Sequence, residues 1–511
     1  MPGTARSTAT LLLLLVALSA CTAARAKQRV QFGTPESPLH LEFAGEYRFQ
    51  GMMFTDIPVA ADGTSIDQPY VADQRLRGRF DISGRHFRVG TEWDLFSGQM
   101  FGPTWGIPGE VDERNRHTRT IFMRDGFVPR RAAATFSWPA FTLEMGLVTS
   151  HWGLGMLVND GAHDPVFGRN DFGDRVVRLR ATGKPLYLQQ DHPLRHALNV
   201  TAAVDWVIAD EAARFRERQL ALQGIVSVLY ADARDRQLGI YAVYRHQREL
   251  DEDRTTRVVV IDAFGHLPIS LGQGPVISLA AEGALITGET DRSLTYSARR
   301  LMGVVSGGVT GSAAIHAPGD VMRIRLRGGM ASGDPDPDDG LNGDFSFDRD
   351  FDVGMVLFDQ LSGGAEAAAH AQLTDPTLSP PPDGVDGLVT EGSFRRAMFV
   401  QPVFEYDPIH WLGFKVGAML ATAVVDWTQP YYTYRAGGDP RNHLDTAPDG
   451  RFLGAEINWA LRLGGPVRPA RASSVEAAFL AQGGHLFVGP ALAGEGPDSI
   501  HMWLLTGRLR W

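Results

Sequence analysis

Residues 39–51 read Leu39-His40-Leu41-Glu42-Phe43-Ala44-Gly45-Glu46-Tyr47-Arg48-Phe49-Gln50-Gly51. Every odd position is apolar, aromatic or glycine, and the even ones include His40, Glu42, Glu46, Arg48 and Gln50. Strict period two gives an extended strand one oily and one polar face. In a soluble sandwich the oily face would be a core. In an outer-membrane barrel it would meet lipid while the polar face lined the lumen.

The pattern recurs outward from this stretch. Leu76, Gly78, Phe80 and Ile82 alternate with Arg75, Arg77, Arg79 and Asp81; after Ser83-Gly84-Arg85 come Phe87, Val89, Trp93 and Leu95, alternating with Arg88, Glu92 and Asp94. Similar runs continue to the last residue, where Trp503, Leu505, Gly507, Leu509 and Trp511 share one face opposite Thr506, Arg508 and Arg510. A greasy edge strand at the very end of a soluble protein is an aggregation hazard that ring closure removes. Short connections such as Ser83–Arg85, Pro139-Ala140, Asp407–His410 and Gly464–Pro466 alternate with long polar ones such as Thr55–Gln74, Ser150–Gly173 and Ser332–Gly392. Short periplasmic turns opposite long external loops are the layout of a transmembrane β-barrel. We therefore expect an all-β fold, a single antiparallel barrel over 39–511 with about 18 strands. The count is 16 to 20 according to how Asp350–Phe358 and Gly126–Arg131 are read, with Thr118–Trp138 taken as one interrupted strand.

The chain has 511 residues, a net charge of −10 and one cysteine. The acidic balance argues against a nucleic-acid binder, and one thiol cannot make an intrachain disulfide. Leu11 to Ala20 is nearly all apolar behind Arg6, with the length of a secretory signal rather than of a membrane span. We expect residues 1–26 to be a cleaved signal peptide ending at Ala24-Arg25-Ala26, and 27–38 a periplasmic segment. Leu18-Ser19-Ala20-Cys21 also fits a lipoprotein box, which would lipidate Cys21. The expected location is the bacterial outer membrane.

Short patches carry a resemblance. Trp152-Gly153-Leu154-Gly155, within Trp152–Gly161, the run Gly454-Ala455-Glu456-Ile457, and Gly483–Pro490 resemble those of alginate-export, porin-like outer-membrane proteins and related barrels. The terminal Trp511 strand resembles the assembly signal of such barrels. The resemblance implies an 18-stranded barrel, contact with lipid, lipopolysaccharide and the barrel-assembly machinery, and an acidic polysaccharide as one cargo. Either a monomer or a trimer is compatible with it.

On the inward faces, Arg75, Arg77, Arg79 and Arg88 form one group, Arg178 and Arg180 a second, and Arg323, Arg325 and Arg327 a third, with Arg395 beyond them. Guanidinium groups stay charged and grip carboxylate or phosphate bidentately. Rings of arginine favour anions. The function expected is thus passive diffusion or export of solutes, anionic ones in particular. Inward acids such as Asp81, Asp94 and Glu405 would oppose this by pairing with the arginines; the competing reading is a plugged, receptor-like barrel displaying acidic loops. Asp334, Asp336 and Asp338 open an Asp-rich stretch to Asp352 that is similar to a calcium loop, but Pro335, Pro337 and the absence of a closing Glu depart from it. Ala365–Ala371 suggests a helix, and the segment from Ser362 to Leu388, Pro-rich at Pro380–Pro382, reads either as a lid in or over the pore or as disordered decoration. No hydrolase elbow, zinc-protease helix or phosphate loop is present in the sequence, so no enzyme activity and no other cofactor is expected.

Overall fold

The computed structural model describes residues 29–34, 37–67, 69–103, 127–169, 173–251, 253–295, 301–378, 380–388, 392–466 and 475–511. Residues 1–26, expected to be a signal peptide and including Cys21, lie outside them. The strands of the wall are β1 (Ser37–Phe54), β2 (Val71–Ser83), β3 (Phe87–Phe101), β4 (Phe127–Trp138), β5 (Phe141–Thr149) and β6 (Arg175–Gly183). They continue with β7 (Leu198–Ala209), β8 (Gln219–Ala231), β9 (Gln237–Glu249), β10 (Thr255–Ser270), β11 (Val276–Thr290) and β12 (Met302–His316). The last six are β13 (Met322–Ala331), β14 (Ala397–Ile409), β15 (Leu412–Ala423), β16 (Phe452–Pro466), β17 (Glu476–Val488) and β18 (Ser499–Arg510).

Each strand pairs antiparallel with its sequence neighbours, and β18 returns to β1 with Tyr47 opposite Leu509 and Phe49 opposite Gly507. The described strands therefore form a closed barrel of eighteen, as the alternation of loops predicts. Gly45 exchanges two backbone hydrogen bonds of 2.9 Å with Trp511. The Trp511 ring lies across Gly45, where any side chain would collide with it. The short strand Arg29–Thr34, in the stretch read as a simple periplasmic segment, pairs with the part of β1 below the end of β18 (Arg29 opposite Glu42).

Side-chain direction follows the alternation. Phe43, Tyr47 and Met53 of β1 are exposed outside, whereas Arg48 and Gln50 are buried inside. Leu179, Val204, Ile240, Ile261, Leu326, Leu420 and Trp503 continue the exposed outer belt. Phe87, Trp138, Phe141 and Trp411 sit exposed beside the short turns; Phe101, Phe127, Phe452 and Phe487 do so at the opposite rim. Two aromatic girdles flanking an apolar band are the surface of a membrane-spanning barrel.

One reading is corrected and one ambiguity is resolved. Gly464–Pro466 belongs to β16 rather than to a turn. Asp350–Phe358 is not a strand but leads into a wide π-type turn at Leu357–Ser362. Of Thr118–Trp138, residues 118–126 lie outside the described residues and the strand is Phe127–Trp138. The Ala-rich run does form a helix, α1 (Gly363–Thr374), buried on nearly all sides. Its small residues let it lie close against the neighbouring loop, where Gly364 abuts Val59 and Ile66. A short helix, α2 (Pro430–Arg435), joins it through Tyr432, which accepts a hydrogen bond from Gln372 at 3.2 Å. Phe345, Phe347, Phe358, Phe394 and Trp427 complete an apolar cap folded into one mouth of the barrel.

Candidate functional site

Two inward excursions shape the lumen, and wall carboxylates hold each. The first is the loop 150–174 between β5 and β6. Its Trp152 stacks on Tyr241 of β9 (centroids 5.0 Å), meets Phe264 of β10 edge-on (5.2 Å), and donates its Nε1–H to Asp262 at 2.8 Å. The backbone amide of Leu154 donates to Glu282 of β11. Gly153 has φ of +57°, and a Cβ there would sit 2.7 Å from that carboxylate, so glycine is required.

The same loop then reaches the opposite wall. Gly168 exchanges hydrogen bonds of 3.1 and 2.9 Å with Gln482 of β17, and Lys415 of β15 donates to the Val166 carbonyl at 3.0 Å. Asp164 pairs with Arg508 at 2.8 Å and Arg169 with Asp73 at 2.7 Å. A crossbar thus spans the lumen. The second excursion, 332–396, is held where Glu456 of β16 accepts the amides of Met355, Val356 and Leu357 at 2.6, 3.1 and 2.9 Å. Gly484 of β17 gives Met355 and Val356 room to pass. The patches that carried the resemblance are therefore the docking points of the inward loops.

Apart from Arg395, the arginines read from the sequence face inward, and most are ion-paired. Arg77 grips Asp94 through two bonds of 2.6 and 2.9 Å, and Arg178 grips Asp205 at 2.7 and 2.6 Å. The pairing is uneven. Asp81 serves Arg79, Arg88 and Arg131; Glu46 serves Arg75 and Arg510; Glu405 serves both Arg323 and Arg325. Asp81 thus carries three guanidiniums, whereas Arg323 is shared with Asp320 at 2.9 Å and Arg510 with Asp164 at 3.6 Å. Arg180 pairs with Glu144 at 3.1 Å, and Arg327 donates to Gln401 and to the Asp352 carbonyl. Arg395 is buried between Asp344 and Glu366, inside the second excursion rather than on the wall. Arg48, Arg130 and Lys415 of the wall and Arg169 of the crossbar add further cations that were not read as pore-lining in the sequence. Arg48 and Lys415 obey the alternation rule and could have been read. Arg130 is the extra residue of a β-bulge opposite Glu92/Trp93, and Arg169 lies on the crossbar, so neither has a periodic signal.

The crossbar separates two chambers of opposite character. One, of about 360 Å³, lies toward β6–β12 and is acid-rich: Asp174, Asp210, Glu211 and Asp348 face Arg214 and Arg245. Burial and neighbouring carboxylates raise Asp174 and Asp348 well above the usual range and push Glu211 up to about 8. The other, of about 250 Å³, is base-rich: Arg48, Arg169, Lys415, Arg462 and Arg508 face Asp164, Glu405 and Asp407. Asp334 and Asp336 are spent on the amides of Asp336 and Asp338 (both 3.0 Å), and Asp338 accepts the Thr295 hydroxyl at 2.7 Å. These three do not converge on one point. Among the described residues, the groups whose ligand atoms converge within 4.8 Å are Asp174–Glu211–Asp348 and His151–Asp160–His163. Trp503 and Leu505 of the terminal strand lie on the exposed outer face.

No protein-family model matches the sequence, and no curated protein matches it significantly. Among solved structures the chain is similar to OccK2 (OpdF) of Pseudomonas aeruginosa, with 9% identity and a TM-score of 0.48 over 92% of this chain and 97% of that one. It is also similar to a BenF-like porin from Pseudomonas fluorescens Pf-5 (9% identity, TM-score 0.49, 93% and 98% covered). A third is OpdK of Pseudomonas aeruginosa, solved with vanillate (10% identity, TM-score 0.47, 92% and 98% covered).

Proposed function

We propose that the chain is an outer-membrane channel passing small anionic solutes, carboxylates or phosphate, by passive diffusion. The observation that carries this reading is the division of the wall: an apolar, aromatic-girdled exterior and an arginine-lined interior with a base-rich chamber, where Arg48, Arg169, Lys415, Arg462 and Arg508 meet Asp164, Glu405 and Asp407. The outer belt supports the location, since a lipid-facing surface of this kind would be a liability in water. The base-rich chamber supports the preference, because a narrow lumen focuses its field beyond what the net charge suggests. The crossbar and cap favour small solutes over a polymer such as an acidic polysaccharide. Transport of this kind requires no catalytic step. A sealed, receptor-like barrel is the second reading, favoured by the buried apolar cluster under the cap. Single-channel recording in planar bilayers separates the two: anion-favouring current supports the channel, and silence supports the sealed barrel.

A further inference from the structure

The crossbar carries one cluster that conduction does not use. His151 stands at its start, and Asp160 and His163 lie three residues apart in its first turn. The Nδ1 atoms of both histidines face the same oxygen, Asp160 Oδ1, at 3.7 and 3.4 Å. Their rings lie 4.7 Å apart. These separations are too long for strong hydrogen bonds. They match the edge of a tetrahedron around zinc, about 3.3 Å for metal–ligand distances of about 2.0–2.1 Å.

The scaffold holds the three groups in place. The Asp160 carbonyl accepts from Arg130 Nη2 at 2.8 Å, and its Oδ1 accepts the Ala162 amide at 2.9 Å. Gly155 (φ +80°) and Gly161 (φ +62°) permit the tight path, with the His151 ring against Gly155. The cluster is open on one side: the His163 side chain is 71% exposed.

We infer that His151, Asp160 and His163 form a binding site for a first-row divalent transition metal on the loop that crosses the lumen. Two imidazoles with one carboxylate suit zinc and its neighbours rather than calcium or magnesium, which prefer all-oxygen shells. Three protein ligands leave a fourth position open to water or to an anion in the lumen. The inference does not depend on solute transport.

Equilibrium dialysis of the detergent-solubilised full chain against zinc at neutral pH tests it, reading the difference between wild type and variants. The expected result is that His163→Ala and Asp160→Asn each lose one zinc equivalent per chain, that His86→Ala loses none, and that excess calcium displaces nothing. His163 is exposed enough for alanine to leave the barrel intact, which heat-modifiable gel mobility verifies. Equal zinc binding by wild type and His163→Ala overturns the site, as does displacement by calcium. Binding is read without any current, so its failure is distinct from a failure of the channel reading.

Discussion

The carboxylate of Glu456, fully buried on β16, accepts the amide of Met355 at 2.6 Å across 101 residues of sequence. With the adjoining amides of Val356 and Leu357 it receives the start of the segment leading into α1, where free N–H groups need an acceptor. One wall residue thereby fixes the cap.

Glu456→Ala leaves these amides buried and unpaired, at about 1–3 kcal/mol each. The expected outcome is a loosened cap in an intact barrel: faster proteolysis within 340–396 in detergent, and larger, noisier conductance. Unchanged proteolysis and conductance would show that Glu456 does not hold the loop.

Arg323 and Arg325 share Glu405 at 3.3 Å each. Replacing both with Ala leaves that carboxylate uncompensated and should shift the zero-current potential toward cations. Glu405→Gln should shift it the other way. Matching shifts of one sign would remove this cluster from the selectivity account.

Glu211 titrates near pH 8, beside Asp210, Asp174, Asp348 and Asp350, with Arg214 and Arg349 as the neighbouring cations. The acid-rich chamber gains negative charge as pH rises from 5 to 9, so anion preference should fall over that range. Stability follows the same sign. The folded pKa lies above the ordinary 4.5, so the contribution is complete below 4.5 and is lost as pH rises through about 8. Glu211→Gln should flatten both profiles, checked by reversal potential and by thermal unfolding in detergent.

Trp503 is exposed on the outer face near Trp459, with ring centroids 5.7 Å apart. Trp503→Arg should destabilise the barrel by up to about 2–4 kcal/mol, the cost of a cation at the bilayer midplane. Urea titration in lipid vesicles measures it, and brominated acyl chains should quench Trp503 in the parent protein. Quenching by aqueous acrylamide alone would place that face in water.

The barrel was legible because each strand residue has only two environments, and stretches such as 39–51 and 75–95 sort their residues between them. The path of the inward loops was not. Trp152 and Gly153 stand out in the sequence, but nothing periodic ties them to Asp262 and Glu282, more than a hundred residues away. Glu456 reads as one more wall acid opposite the arginines, although it serves backbone amides instead. Arg395 was read by alternation as pore wall; it precedes β14 and bridges into the loop, where strand parity has no meaning. Asp334 and Asp336 use side-chain oxygens to close local turns, and Asp338 accepts the distant Thr295 hydroxyl, relations that spacing alone does not reveal.

The central claim is a conducting, anion-preferring lumen. Its most direct test is the zero-current potential of single barrels in a planar bilayer under a potassium chloride gradient. The account predicts discrete channels whose reversal potential lies on the chloride side, moving toward zero in the Arg323→Ala/Arg325→Ala double variant. A silent bilayer containing correctly folded barrels, or a potential on the potassium side, would contradict it.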